Sequence, residues 1–366
     1  MNKNEIKALV NPHILKLSAY TSARSEFKGQ ADIFLDANEN NFRKAYNRYP
    51  DPLQGALKDQ IALLKPVQQQ QIFVGNGSDE AIDLLIRIFC RTGQDKIVCM
   101  PPTYGMYQVA ASIADVEVQS IPLDADYQPD VDRVLDEQDE QTKILFICSP
   151  NNPTGNDIEL SKILRLVEGF RGIVVVDEAY IDFSEQLSLL NFLDLYPNLV
   201  ILQTLSKAWA LAAARVGMAF AQAEIIALLN KIKPPYNLSK PAQNIAIARL
   251  LEQEQFKHDV LLTVAERNRM SKALSSIDCV LNIYPSQANF ILVQVTEPKQ
   301  IYEHLMQQGI IVRNRSSVEG CHQCLRFTVG TPTENNQLIY ALSNFLKSTN
   351  YEKKSFISGS RWDYSH

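Results

Sequence analysis

Apolar residues follow two rhythms along the chain. Between about residues 70 and 220 they form short unbroken runs separated by stretches of helical spacing. The runs are Ile72-Phe73-Val74, Lys96-Ile97-Val98-Cys99, Ile144-Leu145-Phe146-Ile147-Cys148, Ile173-Val174-Val175-Val176 and Leu199-Val200-Ile201-Leu202. A strand that is apolar at every position is covered on both faces, which is the condition of a mostly parallel sheet flanked by helices. The fold class expected is therefore α/β, with a large domain of this kind. After Pro234-Pro235 the rhythm changes. Long helical patterns run from about 240 to 276, followed by strand-like runs at 290–293, 310–312 and 325–329 and a closing helix from about Glu334 to Leu346. These make a smaller α+β domain. The division expected is an N-terminal arm over 1–35 packing with the small domain, a large domain over 36–255, a small domain over 256–348 and a mobile tail over 349–366.

Length and charge narrow the class. At 366 residues the chain is too long for one simple core and suits two lobes. With 46% hydrophobic and 21% charged residues it reads as an ordinary soluble globular protein. A net charge of −5 argues against a nucleic-acid partner. No apolar stretch is long enough to span a bilayer, and the N-terminus leads into no signal region, so a cytoplasmic location and no membrane partner are expected. The six cysteines are mostly scattered through apolar segments. Cys321-His322-Gln323-Cys324 has redox or zinc spacing, but no second such pair and no HExxH accompanies it, so no metal is expected.

In a parallel sheet, ligands gather beyond the carboxyl ends of the strands. Four features stand at such ends. Gly75-Asn76-Gly77-Ser78-Asp79-Glu80 lies between a strand and a helix, where backbone N–H groups and the helix dipole favour a phosphate; an ordinary turn with first-turn acids would look the same. Ser149-Pro150-Asn151-Asn152-Pro153-Thr154-Gly155 is a rigid turn, and it can also present the Asn152 amide to an oxygen. Asp177 ends an all-apolar strand, either as a cap or as the carboxylate partner of a ring nitrogen. Tyr180 follows three residues later, either as core or as a donor to the same ring. Lys207, within Thr204-Leu205-Ser206-Lys207-Ala208-Trp209, sits between apolar segments at the start of an apparent helix that reaches Ala214. It is either a surface lysine or a desolvated amine suited to carbonyl chemistry. Ser206 and Arg215 suit the phosphate of a cofactor held by Lys207, although Arg215 also suits a helix end. Phosphate turn, asparagine turn, strand-end aspartate and lysine, in that order, match the parts of pyridoxal 5'-phosphate.

The chain resembles fold-type I pyridoxal-phosphate aminotransferases, and more narrowly the histidinol-phosphate aminotransferase family, from Tyr20 to about Leu346. The stretches that carry the resemblance include Tyr20-Thr21-Ser22-Ala23-Arg24, Asn47-Arg48-Tyr49-Pro50-Asp51, Pro101-Pro102-Thr103-Tyr104-Gly105-Met106-Tyr107, Val176-Asp177-Glu178-Ala179-Tyr180 and Cys324-Leu325-Arg326-Phe327-Thr328-Val329-Gly330-Thr331. The resemblance implies that Lys207 holds the cofactor and shuttles the proton, with Asp177 on the ring nitrogen and Asn152 and Tyr180 on the ring oxygen. It places Tyr104 on the ring face, and Ser78, Asp79, Thr204, Ser206 and Arg215 around the phosphate. Tyr49 would serve the partner subunit of a homodimer with shared sites. Arg326, Arg313, Tyr20 and Asn38 would shape the substrate site, and the substrates would be histidinol phosphate, glutamate and 2-oxoglutarate, used in turn within histidine biosynthesis. Three rivals share features of this pattern: an aromatic amino acid aminotransferase, a pyridoxal-phosphate-dependent threonine-phosphate decarboxylase, and a transcription regulator built on the same fold. The last needs a DNA-binding module, for which residues 1–35 are too short and not basic enough.

Overall fold

The computed structural model describes residues 3–19, 29 and 31–358, with residue 3 and residues 346–358 as backbone only. Among the described residues, eleven strands form two sheets. The larger sheet contains β1 (Ile72–Asn76), β2 (Lys96–Cys99), β3 (Glu117–Ser120), β4 (Thr142–Cys148), β5 (Ile173–Asp177), β6 (Leu199–Thr204) and β7 (Val216–Phe220). Their order across the sheet is β1-β7-β6-β5-β4-β2-β3. The pairs from β6 to β3 are all parallel, and β7 alone runs antiparallel to both neighbours.

The unbroken apolar runs divide by parity between two cores. Val74, Val98, Leu145, Ile147, Val174 and Val176 face one core, shared with the helices Gly55–Leu64, Leu160–Gly169 and Lys240–Leu250. Phe73, Ile97, Phe146 and Val175 face the other, under the helices Ser78–Phe89, Met106–Ile113 and Ala223–Ile232. Both faces are thus dry, as the runs required.

Two strands of this sheet are not evident in the sequence. β3 lies at an edge, has no fully buried position and reads as polar. β7 follows Leu211-Ala212-Ala213-Ala214, which suggests a helix starting at Lys207. Instead Lys207 lies in a turn, Ala212–Ala214 forms a single 3-10 turn, and Arg215 takes a left-handed conformation (φ 55°) that turns the chain back into the sheet. That return depends on Gly217, where an added Cβ would stand 2.0 Å from the Ser78 nitrogen.

The smaller sheet contains β8 (Val280–Ile283), β9 (Phe290–Val295), β10 (Arg313–Asn314) and β11 (Cys324–Thr328), ordered β10-β11-β9-β8 and antiparallel throughout. The run at 310–312 is not a strand; pairing begins at Arg313. The helix Gln253–Leu274 joins the two units. Phe256 packs on the large core, whereas Met270 and Leu274 belong to the small one. The border expected at 255/256 therefore falls inside a continuous helix. The closing helix runs Pro332–Ser358, past the end expected near Leu346 and through the first residues of the expected tail.

Candidate active site

One cavity of about 320 Å³ opens beyond the carboxyl ends of β4, β5 and β6 and is closed on its far side by β10 and β11. It is lined by Ser78, Asp79, Tyr104, Asn152, Asp177, Tyr180, Thr204, Ser206, Lys207, Arg215, Arg313 and Arg326. Every site residue expected from the sequence is therefore present except Tyr49 and Asn38, which line a separate hollow, and Tyr20, which lies outside the described residues.

The phosphate turn is built from both sides. Gly77 adopts φ 82°, open to glycine at little cost, and a Cβ there would meet the Arg215 guanidinium at 2.6 Å. The helix Ser78–Phe89 then starts with N–H groups that have no partner within the helix. Glu80 acts as a brace, accepting from the Asn76 N–H at 2.5 Å and from Asn237 Nδ2 at 3.0 Å. Asp79 faces the cavity, where it accepts from the Tyr104 hydroxyl at 3.1 Å and lies 3.8 Å from Arg215. The Thr204 hydroxyl donates to the Val216 carbonyl at 3.2 Å and accepts from the Ser206 N–H at 3.1 Å, so in this structure its proton is committed to shaping the turn.

Asp177 is the buried centre. Tyr107 Oη donates to its Oδ2 at 2.8 Å, and the Ala179 N–H donates to Oδ1 at 3.1 Å. Burial pushes its carboxyl up to about 6, against the lowering effect of those two bonds. Tyr107 itself is fully buried, stacked on Phe146 with centroids 4.6 Å apart. Its place on the buried face of an apolar helix reads as core, and no sequence signal separates it from an ordinary core tyrosine.

Asn151 and Asn152 divide their labour. Asn151 staples the turn, donating to the Pro102 carbonyl at 2.8 Å and to the Thr154 hydroxyl at 2.7 Å. Asn152 faces the cavity, with Nδ2 3.5 Å from the Tyr180 hydroxyl and Oδ1 accepting from Arg326 Nη1. Tyr180 is buried and packs edge-on to Phe290, and burial raises its phenol well above the usual range.

The desolvated amine expected at Lys207 is only partly so. Its side chain remains in contact with solvent through the open cavity, and its Nζ lies 5.5 Å from the centre of the Tyr180 ring. The surrounding protein still lowers its pKa, first by displacing water and then through the Arg326 charge, while Asp177 and Asp79 pull the other way. A lowered amine pKa increases the fraction of free base near neutral pH. Arg315, which also lines the cavity, receives no role from the sequence.

The residues fit pyridoxal phosphate. A helix N-terminus with Arg215 suits a phosphate, a fully buried carboxylate needs a cationic partner such as a protonated ring nitrogen, and an amine stands between them.

All six cysteines are free and buried. Cys321 and Cys324 pack with Leu292 in a small apolar cluster, and the described residues contain no group able to hold a metal ion.

Residues 13–342 match the family described as aminotransferase class I and II. The chain is 51% identical over 340 residues to a histidinol-phosphate aminotransferase of Parabacteroides distasonis, covering 93% of this chain and 99% of the relative. It is 48% identical over 341 residues to the corresponding protein of Bacteroides thetaiotaomicron, with the same coverage. Among solved structures, it is similar to the histidinol-phosphate aminotransferase of Sinorhizobium meliloti in complex with pyridoxal-5'-phosphate. That match has a TM-score of 0.77 at 22% identity and covers 86% of this chain and 90% of that one.

Proposed function

We propose that this chain, which belongs to the class I and II aminotransferases and within them to the histidinol-phosphate aminotransferase family, moves an amino group between histidinol phosphate and 2-oxoglutarate with pyridoxal 5'-phosphate in the cavity. When bound, the cofactor supplies a carbonyl that takes up the amino group and a ring that draws electrons away from the substrate carbon. The chain's own residues do the rest. The backbone N–H groups of Ser78 and Asp79, with Ser206 and Arg215, would hold the phosphate. Asp177, aimed by Tyr107 and Ala179, holds a proton on the ring nitrogen. Asn152 and Tyr180 meet the ring oxygen. Lys207 Nζ would take the proton from the substrate carbon that bears the amino group and hold it for return, a general acid–base role worth roughly 10²–10⁴-fold.

The observation that carries this reading is the Arg326–Asn152 hydrogen bond. It joins the side chain expected on the cofactor to the guanidinium expected on the substrate anion, so both ends of the reaction share one rigid unit. A planar guanidinium fork receives a carboxylate or a phosphate equally well, as two substrates used in turn require. A panel of amino donors tests the reading: histidinol phosphate should give the highest kcat/KM, with no CO₂ released. A preference for phenylalanine, or CO₂ from threonine phosphate, would overturn it.

The second hollow supports a homodimer. Asn38 and Tyr49 line it, with Tyr49 stacked on Tyr236 at 4.4 Å. The same segment exposes Ile33, Leu35 and Phe42, the last 98% exposed, apolar surface suited to burial against a second copy. A second copy covering that segment would bring Tyr49 to its partner's cavity. Among the described residues no helix is long and apolar enough to cross a membrane. A cytoplasmic site of action goes with this reading.

A further inference from the structure

Three guanidiniums converge on the side of the cavity formed by β10 and β11. Arg313 and Arg326 are direct cross-strand partners, an arrangement in which like charges repel. Arg315 follows immediately, and its N–H bonds to the Cys324 carbonyl at 2.9 Å, which fixes it against the same strand. Its side chain lines the cavity, and its Nε is buried with no hydrogen-bond partner. Leaving such a donor unmet costs free energy. Among the described residues none of the three has a carboxylate within ion-pair distance, whereas Arg215, across the cavity, has Asp79 at 3.8 Å. Burial lowers the Arg315 pKa first, followed by the charges of Arg326 and Arg313.

The three are not equivalent. Arg326 already spends one N–H on Asn152, and Arg313 is exposed. Arg315 is half-buried and lines the cavity, its guanidinium has no carboxylate partner among the described residues, and its buried Nε has no hydrogen-bond partner. A glutamate carboxylate offers one negative charge, which one fork satisfies. A phosphate monoester carries nearly two charges and three free oxygens, and so has acceptors left over for another fork.

We propose that Arg315 is a specificity-determining residue that binds the phosphate monoester at the non-reacting end of the amino substrate. The assignment rests on the reading of the substrate given above. It gives the unpaired charge cluster a purpose: the repulsion among the arginines is relieved when the dianion enters.

The test compares histidinol phosphate with histidinol, which lacks the phosphate, as amino donors for the holoenzyme. Arg315→Gln should lower kcat/KM for histidinol phosphate by about 10- to 100-fold, the loss of one charge-assisted contact. The loss should appear mainly in KM. Histidinol should be affected by less than about threefold, so the preference for the phosphorylated donor shrinks. Arg315→Lys should keep the charge and recover part of the preference. Inorganic phosphate, as a competitor in the glutamate half-reaction, should bind the Arg315→Gln variant more weakly than the parent by a similar factor. In ligand-free protein, Arg315→Gln should leave Tm unchanged or raise it, because an unmet buried donor is removed. An unaltered preference together with unaltered phosphate inhibition overturns the assignment, as does an equal loss with both donors. If the parent enzyme ignores histidinol phosphate altogether, the substrate reading fails, and the phosphate competition still decides whether Arg315 binds the anion.

Discussion

The two walls of the cavity are built on opposite principles. On the wall made by the ends of the large sheet, the carboxylates have protein partners. Asp177 has Tyr107 and Ala179, Asp79 has Tyr104 and Arg215, and Glu80 closes the turn beneath them. On the wall made by β10 and β11, Arg313 and Arg315 have no carboxylate partner among the described residues, and Arg326 has only an amide and the face of the Phe290 ring. A wall whose groups satisfy one another can hold a resident cofactor in fixed geometry. A wall of unpaired cations is finished by whichever anionic substrate arrives, and two different anions must each be able to finish it.

Lys207, which stands between the walls, offers the harshest way to test this. Lys207→Ala removes the amine but leaves the phosphate turn and Asp177 in place. Turnover should fall by roughly 10²–10⁴-fold, while cofactor remains bound through the partnered wall and is visible in the absorbance spectrum. Borohydride reduction of the parent followed by peptide mapping should place the label on Lys207. A label on any other lysine, or near-parental turnover by the variant, would remove Lys207 from the chemistry.

Arg326→Lys breaks the other wall. The ammonium keeps the charge but lacks the fork, so kcat/KM should fall for glutamate and for histidinol phosphate alike, by roughly 2–5 kcal/mol each. Loss with only one substrate would mean that the walls are less separate than the geometry implies, and parental values with both would make Arg326 a structural residue.

Asp177 sharpens the comparison through pH. Its carboxyl is pushed up to about 6 by burial, above the unfolded value of about 3.9. The folded state therefore holds the proton more tightly. Stability from this group is fully present below about pH 4 and is lost as pH rises towards 6. The amide introduced by Asp177→Asn does not titrate. In cofactor-free protein, the variant should gain stability over the parent across that window, levelling off at about 2–3 kcal/mol. Cofactor should then raise the melting temperature of the parent more than that of the variant, since only the carboxylate can pair with a protonated ring. A variant less stable than the cofactor-free parent at about pH 7.5, well above both titrations, would show Asp177 to be a cap for Ala179.

The partnered wall was the more legible of the two. β4, β5 and β6 are unbroken apolar runs, and what stands at their ends is chemistry by position: Asn152, Asp177 and Lys207 are all found that way. The expected helix after Lys207 failed because three alanines favour helix locally, whereas pairing of β7 with β1 and β6 decides the outcome over a distance. Tyr107 was hidden because a buried tyrosine on an apolar helix face shows no outward sign of the carboxylate it serves. Arg315 was hidden for the opposite reason. Arg315 lies just past β10 in the polar stretch Arg313-Asn314-Arg315-Ser316-Ser317, and nothing in the sequence shows that it lines the cavity.

The smallest effect concerns what a single chain leaves out. Asn38 and Tyr49 line the second hollow rather than the cavity, so within one subunit they touch neither wall. If the site is shared across a homodimer, each cavity is completed by the segment around Tyr49 of the other copy. Two separately inactive variants then become informative. A Tyr49 variant without activity supplies good lysines with poor arms, and Lys207→Ala supplies the reverse. After subunit exchange, about half of the dimers are hybrids, and each hybrid has one cavity with its own Lys207 and its partner's Tyr49 intact. Activity should return to about one quarter of the parental level, half of the dimers each with one of two sites working. It should return only after exchange, which native mass spectrometry of one isotope-labelled variant can follow. If Tyr49 instead serves its own chain, the hybrid has an intact arm only beside the missing lysine, and exchange restores nothing. Hybrid dimers seen by mass but silent in the assay would thus sever Tyr49 from the neighbouring cavity, leaving both walls to be completed within one subunit.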